Sequence, residues 1–285
     1  MVSGGTYGTE AIISGAGYGR GILVLLFLPI LWCLPTAFMI GELSSALPAA
    51  GGYYAWVRRG LGNFWGFQEA WLSLAASIFD MAIYPTLFVF YLKQMAPWFG
   101  DQNHGILAGL FVIATCAALN LAGVRVVGLT SLWLFFLLSL PFGLVVLLSP
   151  LKTAAVTDPQ AASAGASMGL LAAVLVAMWN YMGWDNASTI AQEVERPRQT
   201  YPRAMIAAVI LVSATYVAPF LAVYFAKIPA SAFNGDGSWA TVAGQIGGTI
   251  MGPWLRFFVT IGGMMSAFGM FNALVLSYSR STRGH

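Results

Sequence analysis

Apolar residues come in long runs along this chain, at about 22–46, 64–92, 104–122, 127–149, 168–194, 204–226 and 253–279. A helix rises 1.5 Å per residue, so about 20 such residues cross the roughly 30 Å hydrocarbon core of a bilayer. The pattern therefore predicts an all-α polytopic membrane protein. Between the runs, residues 150–166 and 228–240 gather Pro, Ser, Gly, Asn and Asp and read as connecting loops. Residues 241–252 read as a short interfacial helix, and the glycine-rich stretch 1–19 as half a span. Counting that half, about eight spans make up one domain over 1–285. Pro29, Pro35, Pro85 and Pro141 fall inside runs, where neighbouring helices can cover the carbonyls that each proline frees.

One run is interrupted. Met168 to Trp179 is continuous apolar helix, after which Asn180, Gly183, Asp185 and Asn186 arrive at a depth still within hydrocarbon. Helix-compatible composition resumes from Ala187 to Glu195. In lipid every backbone N–H and C=O must be satisfied internally, so a break at this depth survives only under cover of protein or beside a watery cavity. Unwinding exposes one half-helix end rich in free carbonyls and another rich in free N–H groups. A solute carrying a carboxylate or an ammonium group could bind such a pair of ends.

Composition narrows the function classes. Hydrophobic residues make up 59% of the chain and charged residues only 8%, against about 25% charged in a soluble domain. A net charge of +3, spread over loops, does not suggest a nucleic-acid partner. Cys33 and Cys116 lie in apolar runs, and His104 and His285 have no ligand-like spacing, so neither a disulfide framework nor a metal site is indicated. No nucleophile–base set stands out, and the chain is not expected to be an enzyme. There is no basic n-region followed by a short apolar stretch, so no cleavable signal peptide is expected.

Charge orients the spans. One set of loops carries Arg58, Arg59, Arg125, Arg196, Arg198, Arg203, Arg280 and Arg283; the other carries only Arg20, Lys93, Lys152 and Lys227. The positive-inside bias places 47–62, 123–126, 195–203 and the C-terminus in the cytoplasm. Arg256 starts the last span, where its long stem can snorkel.

Three carboxylates, Glu69, Asp80 and Asp185, lie within apolar segments. Ionised at mid-span, each costs about 2.5–3.5 kcal/mol. Facing lipid, the three would together cost on the order of 8–10 kcal/mol, comparable with a domain's whole stability. They are expected to face the bundle interior, to be protonated, or to sit near an interface. An internal hydrogen-bonded network and a substrate or proton site are both open readings. Asp185, beside the break, favours the second, and Glu69, nearer the cytoplasmic end, the first. Trp179 sits where helical geometry ends, and a large ring there can close over a solute or stack on a cation. Tyr181 and Trp184 flank it. Ser3, Gly4 and Gly5 offer a second backbone-rich turn at the chain start. On the cytoplasmic side, QEVERPRQTYPR at 192–203 sets Glu193 and Glu195 among arginines, as a solvated loop or an inner gate.

These motifs resemble a known family. SGGTYG at the start, GELSSALPAAGGYYAWVRRGLGNFWGFQEAW after the second span and GWDNASTIAQEVERPRQTYPRAM look like the amino acid–polyamine–organocation permeases. The stretch FDMAIYPTLFVFYLKQ is most similar to the polyamine-uptake and L-type amino acid branch. The resemblance implies a leucine-transporter-type inverted-repeat fold with discontinuous first and sixth helices. Residues 1–149 would form the first repeat, lacking the start of its first helix, and 167–285 part of the second. The family has about twelve spans, so the chain is expected to be incomplete. The resemblance also implies secondary active transport of amino acids or polyamines across the plasma (inner) membrane. Substrate would bind at Ser3, Gly4, Gly5, Trp179, Asn180 and Gly183, with Trp179 as gate and with Asp80 and Asp185 favouring a cationic group or a coupled proton. No cofactor is implied, and a coupling proton is favoured over sodium. The lysine that some proton-coupled relatives carry in the fifth span has no counterpart in 127–149. The alternative is a truncated, non-transporting sensor or scaffold. The expected partners are the substrate and the lipid bilayer, and the oligomeric state is left open.

Overall fold

The computed structural model describes residues 6–47, 52–121, 124–151, 170–183, 196–233 and 238–281. Among them there is helix and turn but no strand. The elements are α1 (Glu10–Leu28), a π turn (Pro29–Cys33), α2 (Leu34–Ala46), α3 (Tyr53–Leu61), α4 (Asn63–Met95), α5 (Gln102–Leu121), α6 (Val124–Leu148), α7 (Leu170–Asn180), α8 (Pro197–Phe225) and α9 (Trp239–Ser281).

Five of the described helical segments are long and apolar enough to cross a membrane: Glu10–Ala46, Asn63–Met95, Gln102–Leu121, Gln199–Phe225 and Trp239–Leu276. Their outward faces are apolar. Leu31, Phe79, Leu121 and Ile250 are each more than 70% exposed. In water these four alone would forgo about 6–12 kcal/mol, as much as a whole domain's stability, so the surrounding medium is lipid. The polar groups run the other way: Thr6, Thr9, Ser44, Asn180, Ser238, Ser266 and Asn272 are buried. The chain is a multi-pass membrane protein.

The helices depart from straight rods where glycine and proline sit. Gly17, at φ 74° and ψ 171°, divides α1 into a short stub, Glu10–Ala16, and a long arm. Glycine alone reaches that conformation without strain. The half span predicted at 1–19 is this stub, and Arg20, expected in a loop, lies exposed inside the arm. Likewise Gly248, at φ 65°, separates a short helix from the long span of α9; this kink falls inside 241–252, the stretch expected to form one short helix. The 47–62 loop differs from its expectation: α3 occupies its second half and packs on α4.

Prolines matter through what they fail to donate. Pro29 has no N–H for the carbonyl of Leu25, and the chain widens there into a π turn closed by Leu34 N–H to Pro29 O. The freed Leu25 carbonyl accepts the Tyr181 hydroxyl at 3.0 Å. In α8, Pro219 leaves the Thr215 carbonyl free, and it accepts the Thr6 hydroxyl at 2.9 Å. Tyr181 follows the end of α7, and Thr6 precedes the start of α1. Each helix end is thus tied to a proline gap in a neighbouring helix.

This pairing gives a coupled expectation. Tyr181→Phe leaves a buried acceptor unpaired, worth about 1–3 kcal/mol in general and nearer 0.6 kcal/mol on average for a bond within membrane bundles. We expect a lower melting temperature in detergent. In a Pro29→Ala background, which restores the competing N–H, the loss should shrink by more than half. Equal losses in both backgrounds would rule out the proline-gap account.

α1 lies against α7 and α8, α2 against α8, and α4, α5 and α6 against α9. The main core, including Tyr7, Ile12, Leu25, Tyr181, Tyr216, Phe220 and Trp239, fills the space between these pairs. A smaller cluster of Tyr84, Val112, Cys116, Met270, Phe271 and Leu274 lies beside it, and Trp179 packs against that cluster.

Candidate functional site

The first break is a tight turn. Thr9 N–H reaches Thr6 O at 3.3 Å, the Thr9 hydroxyl donates to the same carbonyl at 2.5 Å, and Gly8 takes φ +89°. Helix α1 then starts at Glu10. Ser3, Gly4 and Gly5, the residues expected to form this turn, lie outside the described residues; the turn that is described is Thr6–Gly8. Its surroundings hold it on three sides. The Tyr7 hydroxyl donates to Val259 O on α9 at 3.0 Å, the Trp239 indole N–H to the Thr9 hydroxyl at 3.2 Å, and Thr6 to α8 as above.

The second break is the end of α7. Tyr181 N–H bonds back to Ala177 O and Met178 O, and Met182 N–H to Trp179 O. Gly183, at φ 106°, then turns the chain off the helix axis, a positive-φ role common just past helix ends. The helix that composition predicts to pause at Asn180 does stop there. Asp185, placed beside the break by sequence, lies outside the described residues, as does Trp184.

The two breaks meet. Asn180 is fully buried, and its side-chain N–H₂ donates to Gly8 O at 3.3 Å and to Val176 O at 2.9 Å. Its carbonyl oxygen Oδ1 is buried with no donor. On the far side, the Tyr216 hydroxyl donates to Asn180 O at 2.8 Å, and the Tyr181 and Tyr216 rings pack edge to face at 4.9 Å. Tyr181 is therefore a lock on the break rather than a surface for a solute.

Trp179 is half-buried and lies across the junction. Its indole N–H donates to Asp80 Oδ1 at 3.3 Å, and its ring stacks on Tyr84 with centroids 6.4 Å apart. The opposite edge of the indole faces Gly8: a Cβ there would lie 3.5 Å from Cζ3 and 3.4 Å from Asn180 Oδ1. Asp80, Tyr84 and Tyr91 follow one another on α4 at spacings that share a helical face. Asp80, Trp179 and Asn180 thus lie together, whereas Glu69 does not join them. It accepts from Ser73 at 2.6 Å on its own helix, in the second turn of α4.

One participant is absent from the sequence reading. Glu10 accepts Gly8 N–H at 2.7 Å on Oε2 and the Tyr91 hydroxyl at 3.0 Å on Oε1. The available signal was a lone carboxylate in an otherwise uncharged stretch, hidden because 1–19 reads as a weak half span. An ionised carboxylate at membrane depth costs about 2.5–3.5 kcal/mol, so Glu10 and Asp80 are expensive features unless a charge answers them. Among the described residues no basic side chain forms an ion pair with either.

Next to the first break lies a cavity of about 620 Å³ walled by Thr6, Tyr7, Phe142, Val212, Thr215 and Tyr216. Its lining is nearly all apolar, and it includes none of Asp80, Trp179 and Asn180. The polar chemistry is at the junction of the breaks, not in this cavity.

Comparison with known proteins agrees with that geometry. A profile of the amino acid permease family matches residues 1–284. A polyamine transporter of Oryza sativa subsp. japonica is 35% identical over 99% of this chain and 52% of its own length. A probable polyamine transporter of Arabidopsis thaliana is 34% identical over 98% of the chain and 55% of its own. A serine/threonine exchanger of Bacillus subtilis is 24% identical over 95% and 61%. The chain spans about half the length of the curated relatives it matches. With a family profile matched almost end to end, the chain belongs to the amino acid permease family.

Proposed function

We propose that this chain carries the substrate-binding half of a secondary permease for polyamines or amino acids. The observation that carries the reading is the contact between the breaks: Asn180 bridges to Gly8 while its own Oδ1 is left as a buried acceptor without a donor. Buried polar atoms are nearly always paired, and an exception of this kind suits a group that arrives from outside. The turn at Thr6–Gly8 and the end of α7 at Tyr181–Gly183 flank that acceptor, and Trp179 lies beside it. Asp185 and the Ser3–Gly5 segment belong to the same proposed site by their positions in sequence. The two inverted repeats, 1–149 and 167–285, would supply one break each. The charge distribution supports a cytoplasmic C-terminus in a plasma (inner) membrane, and the carboxylates at membrane depth support coupling to protons.

The test is reconstitution of the chain in proteoliposomes and nanodiscs, with radiolabelled spermidine, putrescine and serine. We expect saturable binding of at least one of the three, weakened about tenfold or more by Trp179→Ala, which removes the ring beside the acceptor. Flux down an imposed proton gradient would extend the reading to coupled transport by the chain alone. Binding without flux would support the non-transporting alternative. Absence of both binding and flux for all three solutes would overturn the proposal.

A further inference from the structure

We propose that the cavity between α6 and α8 seats one acyl chain of a bilayer phospholipid, which enters from the lipid side and packs against the first helix break. This goes beyond the permease reading and does not depend on it.

The walls decide what fits. The cavity, about 620 Å³, is lined by Leu138 to Leu147 on one face of α6 and by Ala208 to Pro219 on one face of α8. Its closed end is the first break, at Thr6 and Tyr7. Four hydroxyl-bearing residues stand around that end, and each hydroxyl already donates to a main-chain carbonyl: Thr6 to Thr215, Tyr7 to Val259, Thr215 to Val212 and Tyr216 to Asn180. A polar solute entering here would lose its hydration for little in return, whereas an apolar one loses nothing. An apolar cavity of about 150 Å³ stays dry and takes up benzene. On that scale the space here holds roughly two dozen carbon atoms, enough for one acyl chain and too little for both chains of a lipid.

The mouth decides where the occupant comes from. Gly143 and Leu147 of α6, and Leu211 and Ala214 of α8, line the cavity and are also exposed. Beside them Leu140 and Ile210 are each 64% exposed, on the outward apolar surface that lipid covers. The mouth is thus continuous with the lipid-facing surface. A Cβ added at Gly143 meets nothing within 4 Å, so no neighbouring side chain closes the opening.

Depth points to the same source. Leu138 and Leu147 are nine positions apart, about 14 Å along the helix, which is about half of the roughly 30 Å hydrocarbon core. Leu147 is the last residue but one of α6, just before Ser149 and Pro150 end the apolar run. The cavity therefore has the depth of one leaflet and ends near headgroup level. A phospholipid held there by its headgroup already has a chain at the mouth. A chain seated inside touches Thr6 and Tyr7 without reaching Asp80, Trp179 or Asn180.

The experiment uses the whole chain in phosphatidylcholine nanodiscs, with a fraction of the lipid carrying a diazirine within one acyl chain. After illumination, labelled residues are located by mass spectrometry. Lipid lying on the outer surface reaches Leu140 and Ile210 but not Tyr7 or Phe142, which are 2% and 7% exposed. We expect label at Tyr7 and Phe142 as well as at the two outer residues. Gly143→Leu, whose side chain extends into the mouth, should lose the inner label and keep the outer one, which also reports that the protein is folded. Ala214→Leu, on the opposite wall, should do the same and carries the comparison if Gly143→Leu does not fold. Label confined to Leu140 and Ile210 in wild type would overturn the proposal, as would inner label that persists in both variants. Dimers cross-linked through α6 and α8, with the inner residues unlabelled, would assign the mouth to a second copy of the chain and overturn it too.

Discussion

Gly263→Ala is expected to destabilise the protein and to unseat Tyr91, and through Tyr91 the Glu10 carboxylate. A methyl group at 263 would stand 2.6 Å from two ring carbons of Tyr91. That ring has nowhere to go: Tyr91 is 1% exposed and lies edge-on to both Tyr7 and Phe90, with centroids 5.5 and 5.4 Å away. In an open helix the same change would gain about 0.5–1 kcal/mol from propensity, whereas forcing a methyl into a packed interior costs about 1–3 kcal/mol. The collision decides the sign, because it meets a rigid ring and not the end of a flexible chain. Gly143→Ala is the internal control, since a Cβ there meets nothing within 4 Å, and it should be neutral or slightly stabilising. The causal link is tested by a double-mutant cycle on thermal unfolding. Removing the ring with Tyr91→Ala should make the Gly263→Ala cost small, a coupling of the size expected for residues in contact. Additive costs would show that α9 is destabilised for some other reason. Spermidine affinity should fall in Gly263→Ala and stay unchanged in Gly143→Ala.

The same pair of side chains shows where sequence reasoning stops. The spans and the end of α7 at Asn180 were legible because hydrophobic runs and polar interruptions are local properties of a chain whose solvent is lipid. Asp80 was legible as well, since a carboxylate in an apolar run is conspicuous in any reading. Glu10 was not, although it is the same kind of residue: glycines and threonines precede it and only Ala11–Ile13 follow before Ser14 and Gly15, so no long apolar run sets it off. What gives it a role is Tyr91, eighty-one positions later. The proline gaps are of the same kind. Sequence predicts that neighbours cover the carbonyl Pro29 frees, and Pro219, which the sequence reading did not single out, frees another. Only the packing of α1 on α7 and α8 shows that the covering groups are Tyr181 and Thr6, residues at the two helix ends. Ser3–Gly5, singled out in sequence, lies outside the described residues, and the described contacts are those of the adjoining Thr6–Gly8.

Asn180→Leu is expected to weaken spermidine or serine binding by about tenfold or more while changing stability little, and that separation is the strongest test of the proposed site. Leucine has the branching of asparagine and removes both its donor and its acceptor. Losing the bond to Gly8 O leaves that carbonyl without its side-chain donor, a cost of about 1–3 kcal/mol if the group stays buried and nearer 0.6 kcal/mol on average within membrane bundles. Against this stands a gain, because Oδ1 is already buried without a donor and its removal relieves a penalty of similar size. The two effects oppose each other, so the melting temperature in detergent should move by only a few degrees. Binding has no such compensation. A residue kept only to join the breaks would not retain an unpaired oxygen where leucine would pack, whereas a residue that receives a solute needs that oxygen open. Spermidine or serine affinity should therefore drop by about tenfold or more while the fold persists. A large fall in melting temperature with affinity retained in the surviving fraction would make Asn180 a structural tie and remove it from the substrate's path.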